Sequence, residues 1–160
     1  MNHTKINMVS GNDTINQNRI ESLISSLDIL RLWYNFIRLL SMEAWLLEAL
    51  EVARKAVETA SEKQASDIVL LDTRGVCSFA DYFVICSGES ERQVKTIYEE
   101  VEHALKKAGV LPHHREGKLS SGWLLLDFGD VIVHIFAPLE REYYQLDELW
   151  SEATPVITIQ

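Results

Sequence analysis

The sequence predicts an α/β fold, a mixed β-sheet flanked by helices, in a single domain with an N-terminal extension. Three observations predict it. Two stretches repeat apolar residues at spacings of three and four, the mark of amphipathic helices. Four short runs are rich in β-branched and aliphatic residues and too short for helices. The two kinds of segment interleave, which places helices against a sheet rather than in a separate bundle.

The elements follow in order. From Glu43 to Lys63, Leu46, Leu50, Ala53, Val57 and Ala60 fall on one helical face, with Glu and Lys on the other. Ile68–Leu71 and Tyr82–Cys86 read as buried strands, and Asp72-Thr73-Arg74-Gly75 between them as a turn. Ser90 with Gln93 three residues on forms a capping box, in which each side chain satisfies a backbone N–H of the first turn. The stripe Val94, Ile97, Val101, Ala104, Ala108 then runs to Gly109, a helix stop, with Pro112 beyond. The polar stretch His113–Ser121 reads as a loop, with room for a short strand. Trp123–Phe128 and Val131–Phe136 are separated by Gly129-Asp130, a hairpin signal. Both faces of the second run are largely apolar, so it belongs at the sheet's centre. A last helix after Pro138 carries Tyr143, Leu146, Leu149 and Trp150.

Residues 1–41 differ in character. Met1–Asn18 is rich in Asn, Thr and Ser and reads as disordered. Ile20–Leu40 is apolar but broken by Asp28, Arg31 and Arg38, short of the ~20 apolar residues of a membrane span. No signal-peptide pattern is present, and the lack of an Arg-rich, acid-poor amphipathic leader argues against a transit peptide without deciding between a bacterial and an organellar setting. The alternative is that Met42, directly before a well-formed helix, is the true start. The domain is thus expected over 42–151, with a tail at 152–160.

The 160 residues carry a net charge of −9, which disfavours extensive contact with nucleic acid or an anionic membrane. An acidic surface suits a basic protein partner, although acidity also serves solubility alone. Cys77 and Cys86 form neither a disulfide framework nor a C-x-x-C pair, and His113-His114 has no ligands at metal spacing. No cofactor or metal is expected, and the chain reads as cytoplasmic.

Motifs spread over residues 43–151 carry a resemblance. Ala80-Asp81-Tyr82-Phe83-Val84-Ile85 leads to Ser87-Gly88-Glu89-Ser90, then Glu116-Gly117. Trp123 to Phe136 and Arg141-Glu-Tyr143-Tyr144-Gln-Leu146-Asp147-Glu-Leu149-Trp150 complete the set. In this order the motifs resemble the Iojap family of ribosomal silencing factors. Glu89, where a small residue or Thr is usual, and Asp147, where Glu is usual, depart mildly from the pattern. The resemblance implies a nucleotidyltransferase-like α/β fold without catalysis. It also implies binding to ribosomal protein fourteen of the large subunit, which blocks subunit joining and represses translation.

The competing readings are a cryptic nucleotide-binding protein of nucleotidyltransferase type and a homodimeric adaptor unrelated to the ribosome; a homodimer is left open in any case. For the first, Gly88-Glu89-Ser90 at a helix N-terminus echoes a phosphate site. Glu89 sets a negative charge there, however, and no pair of carboxylates one residue apart follows. His134 reads as a hydrogen-bonded structural histidine.

Partner-binding candidates centre on the hairpin. Trp123 stands where polar loop becomes strand, where an aromatic either caps the core or serves as a binding hot spot; the resemblance favours binding. Leu125 shares its strand face, and Phe128 lies near the tip. Asp127 and Asp130 can meet Lys or Arg, or serve the turn itself. The acids Glu140, Glu142, Asp147, Glu148 and Glu152 read as a solvated face or a patch toward a basic protein.

Overall fold

A computed structural model describes residues 48–160. The extension at 1–41, and the expected helix start at Glu43 with its Leu46, lie outside the described residues. Helix α1 covers 48–62 and buries Ala49, Ala53, Ala56, Val57 and Ala60. Its small-residue stripe lets it lie close on the sheet. Strands β1 (Ser66–Asp72) and β2 (Tyr82–Ser87) follow, then α2 (Glu91–Lys107), β3 (His114–Lys118), β4 (Trp123–Asp127) and β5 (Val131–Phe136). Two short helices, α3 (Pro138–Tyr144) and α4 (Leu146–Leu149), lead to β6 (Thr154–Ile159).

The six strands form one mixed sheet in the order β3-β4-β5-β2-β1-β6. Only β2 and β5 are parallel, and α2 lies in the crossover between them. Every residue of β2 and β5 is buried, as fits central strands. Alternation sorts side chains into two cores. One packs α1 and α2 against Ile68, Leu70, Val84, Cys86, Leu124, Leu126, Val133 and Ile135. The other, on the opposite face, joins Phe83, Ile85, Ile132 and Phe136 to Leu146, Ala153 and Trp150.

Local chemistry explains the boundaries. Ser90 Oγ accepts from Gln93 N at 3.3 Å, and Gln93 Oε1 accepts from Glu89 N at 2.9 Å. Helix α2 gives way to Gly109 at φ +89°. In the hairpin, Phe128 N donates to Val131 O at 2.9 Å across Gly129-Asp130, with Gly129 at φ +88°. The positive φ falls at the first loop position only, a conformation open to glycine, which explains why Gly precedes Asp here.

Within the polar stretch that left room for a short strand, His114–Lys118 is that strand: its side chains are all exposed, so no apolar alternation marks it, and its register with β4 holds it. Two segments differ from expectation. The helix after Pro138 breaks at Gln145, which takes a left-handed φ of +43°. The expected tail contains β6, which pairs with β1 and extends the sheet beyond residue 151.

Candidate partner-binding site

Strand β4 alternates, with Leu124 and Leu126 buried beneath the long helices and Trp123, Leu125 and Asp127 half-buried on the other face. Across the ladder Trp123 stands opposite Phe136, Leu125 opposite His134, and Asp127 opposite Ile132. The Trp123 ring stacks on Phe136 at 4.9 Å between centroids and leans on Tyr144 of α3 at 4.8 Å. Trp123, Leu125 and Tyr144, with Glu116, Gly117 and Ser121, line a groove of about 260 Å³. One wall is strand and the other is helix α3.

Two glycines make that groove. Gly117 sits at φ +92°, and a Cβ there would meet Trp123 O at 2.1 Å, so only glycine lets β3 close on β4. Gly122, at φ +64°, leaves the space that the Glu140 side chain of α3 occupies over the start of β4. Gly122 O also accepts from Ala137 N at 2.7 Å, fixing the entry to α3. From the far side of α3, Arg141 reaches Asp147 at 2.6 Å and the Asp67 carbonyl at 3.1 Å, clamping both short helices to the sheet.

The five candidates divide. Trp123 and Leu125 come together in the groove. Asp127 shares their face, but its Oδ1 accepts from Gly129 N at 2.7 Å and so supports the turn. Phe128 is buried in the core beneath α1 and α2 and does not join Trp123. Its apolar ring completes the helix-side layer, whereas the sequence reading set it at the exposed tip. Asp130 lines a separate groove with Phe128, His113 and Glu48. Its carboxyl is held above the usual range by burial and by Asp81, with His113 opposing. Its carbonyl accepts from the Asp81 and Tyr82 amides at 2.8 and 2.9 Å, anchoring β2.

His134 corrects another expectation. It is buried, as expected, but no hydrogen-bond partner reaches either ring nitrogen among the described residues. Aromatic neighbours surround it: Phe83 lies edge-on at 5.3 Å and Trp123 at 5.8 Å. Burial, with Arg141 adding to it, lowers its pKa to about 4. Trp123 Nε1 is likewise buried without a partner.

Sequence reasoning missed Tyr144 and Glu116. Glu116 lies in the stretch read as loop, and its strand register, opposite Leu125, is what brings it to the groove. Tyr144 fell within a helix expected to continue; the break at Gln145 ends α3 where Tyr144 can reach Trp123.

Catalytic chemistry finds little footing in the described side chains. Burial pushes the Cys86 thiol up to about 12, far from a reactive thiolate. At Gly88-Glu89-Ser90 the helix amides are met by the side chains of Ser90 and Gln93, and a Cβ on Gly88 would face Val94 N of α2 at 2.9 Å. Among the described residues no helix is long and apolar enough to cross a membrane.

Comparison with known proteins identifies the fold and its lineage. Residues 47–160 match the family model described as ribosomal silencing factor during starvation. The ribosomal silencing factor RsfS of Halalkalibacterium halodurans is 39% identical over 106 residues, covering 66% of this chain and 91% of that protein. The chloroplastic Iojap protein of Zea mays is 36% identical over 68% of this chain and 47% of its own. A crystal structure of a Chromobacterium violaceum protein superposes with a TM-score of 0.62 at 35% identity, covering 69% of this chain and 92% of that one. A family match over residues 47–160, with relatives at 36–39% identity, places the chain in the ribosomal silencing factor family.

Proposed function

We propose that this protein binds ribosomal protein fourteen of the large subunit through the Trp123 groove and prevents subunit joining by occupying that face. It acts by position, not by catalysis, and represses translation in the cytoplasm. The observation that supports this most is the groove itself, an aromatic and aliphatic recess with Glu116 at its rim on a chain of net charge −9. An aromatic anchor in a partly desolvated recess is the usual centre of a binding hot spot. Acidic charge around it suits the basic surface of a ribosomal protein. Asp127 adds charge on the same face, and Asp130 carries acidic charge to the hairpin, at the far end of β4 from Trp123. Phe128 supports the hairpin from beneath.

The test sediments the full chain with isolated large subunits through sucrose, then adds small subunits. Co-sedimentation with impaired joining is expected. Trp123→Ala is expected to weaken binding by tenfold or more, the scale of a hot-spot truncation of roughly 2 kcal/mol. Because Trp123 also packs on Phe136, Glu116→Lys serves beside it: Glu116 is exposed, and its reversal should weaken binding without lowering the melting temperature. Normal joining in the presence of the bound or unbound protein would overturn the reading. So would full affinity in both variants.

A further inference from the structure

Exposed apolar side chains on this molecule are not scattered evenly. Leu139 and Tyr143 on α3 are 75% and 81% exposed, among the most open large apolar residues of the described chain. They lie one helical turn apart and so share a face of α3. Tyr143 meets Tyr144 edge-on at 5.1 Å, and Tyr144 leans on Trp123. Apolar surface therefore runs without a break from the groove, over Tyr144, and out along α3. Leu149 on α4, Phe79 and Leu111 are also open, but no ring-to-ring contact ties them to Trp123 as Tyr144 ties α3; Val156 and Ile159 on β6 sit at the opposite edge of the sheet.

We propose that α3 is the second half of the partner surface, with Leu139 and Tyr143 forming a ridge that seats against the same basic ribosomal protein. This rests on the function proposed above and extends it from a recess to a recess with an adjoining ridge. Charge names the occupant. Glu140 and Glu142 flank the ridge on α3 and Glu116 stands across the groove, while Arg141 turns inward and is spent on Asp147. Lys118, opposite Trp123 on β3, is the basic side chain that the ladder sets beside the groove. An apolar strip edged by carboxylates fits a partner whose own apolar strip is edged by Lys and Arg. Tyrosine suits such a ridge, since it offers a large rigid surface at low entropic cost.

The ridge also explains why α3 is clamped so firmly for a helix of seven residues. It has no buried residue of its own, yet the Gly122–Ala137 hydrogen bond holds its N-terminal entry and the Arg141–Asp147 pair holds its middle. A helix held at its entry and its middle presents its open face in a fixed orientation.

The experiment measures binding of the full chain to purified large subunits for Leu139→Ala/Tyr143→Ala, Trp123→Ala, and Val156→Ala as a control. Both ridge residues are more than 70% exposed, so the double variant should melt as the wild type does. A tenfold or greater loss in the ridge variant, with the control unchanged, is expected. Tyr143→Phe alone should retain binding, because the ring and not the hydroxyl makes the ridge. If Trp123→Ala weakens binding while the ridge variant stays within twofold of wild type, the ridge is wrong and the groove stands. If neither variant loses affinity, the function on which the ridge rests falls with it. Hydrogen exchange on the bound complex gives an independent reading: unchanged exchange at residues 138–145 also overturns the ridge.

Discussion

His134 holds a neutral ring in an aromatic enclosure, and the cost of charging it is the sharpest single-residue consequence of the fold. Its folded pKa is lowered to about 4 from a reference of 6.5. Between those values the unfolded chain binds a proton that the folded chain refuses, so stability falls as pH falls through that window. The loss begins near pH 6.5, levels near pH 4, and amounts to on the order of 3 kcal/mol. His134→Leu removes the titrating group along with two unpartnered nitrogens. Denaturant unfolding of wild type and variant at several pH values between 7 and 4 should give curves that diverge toward acid, with the variant the more stable. Carboxylates titrate in both proteins and cancel in the difference. Parallel curves would show that the imidazole is solvated after all.

At the scale of elements, one side chain ties the two long helices together. Gln93 Oε1 accepts from Glu89 N, one residue before the Ser90 cap of α2, and its Nε2 donates to Lys63 O at 3.3 Å and Gln64 O at 2.7 Å, in the turn that follows α1. Gln64 lies at φ +58°, so this turn is strained where Gln93 grips it. Ser90→Ala should cost about 1 kcal/mol, the worth of an N-cap. Gln93→Ala should cost about 1 kcal/mol more than that, since it frees the α1 end as well. Chemical denaturation ranks the two, and equal losses would reduce Gln93 to a cap. Only half of this was legible. The spacing of Ser90 and Gln93 announced the Ser90 cap, though Gln93 reaches Glu89 N rather than the Ser90 amide, and nothing near residue 64 says that its carbonyl faces a helix 29 positions on. The same limit explains β3 and β6. An edge strand such as His114–Lys118 has no buried face and hence no alternation to read. Thr154–Ile159 is β-branched, but its sheet position depends on β1, eighty residues earlier. Periodicity reported what is buried locally; ladders are settled between distant segments. For the site, Trp123 and Leu125 were readable from strand alternation, whereas Phe128 followed the chain past the end of β4 into the helix-side core.

On the whole molecule, charge and shape would divide the work of the proposed binding. The net charge of −9 acts over roughly a Debye length, about 10 Å at 0.1 M salt, before any contact forms. It should therefore govern how fast a basic partner arrives and in what orientation. The groove and its aromatic wall act only after contact, so they should govern how long the complex lasts. Raising monovalent salt from about 0.05 to 0.5 M should slow association several-fold while changing dissociation little. Glu140→Gln/Glu142→Gln should flatten the salt dependence of association, whereas Trp123→Ala should speed dissociation and leave that slope intact. Stopped-flow mixing with isolated large subunits separates the two rates. Association that ignores salt would detach the acidic surface from recognition and return it to the plain task of keeping the chain in solution. Dissociation that rises with salt as steeply as association falls would place buried ion pairs, not the aromatic groove, at the centre of the contact.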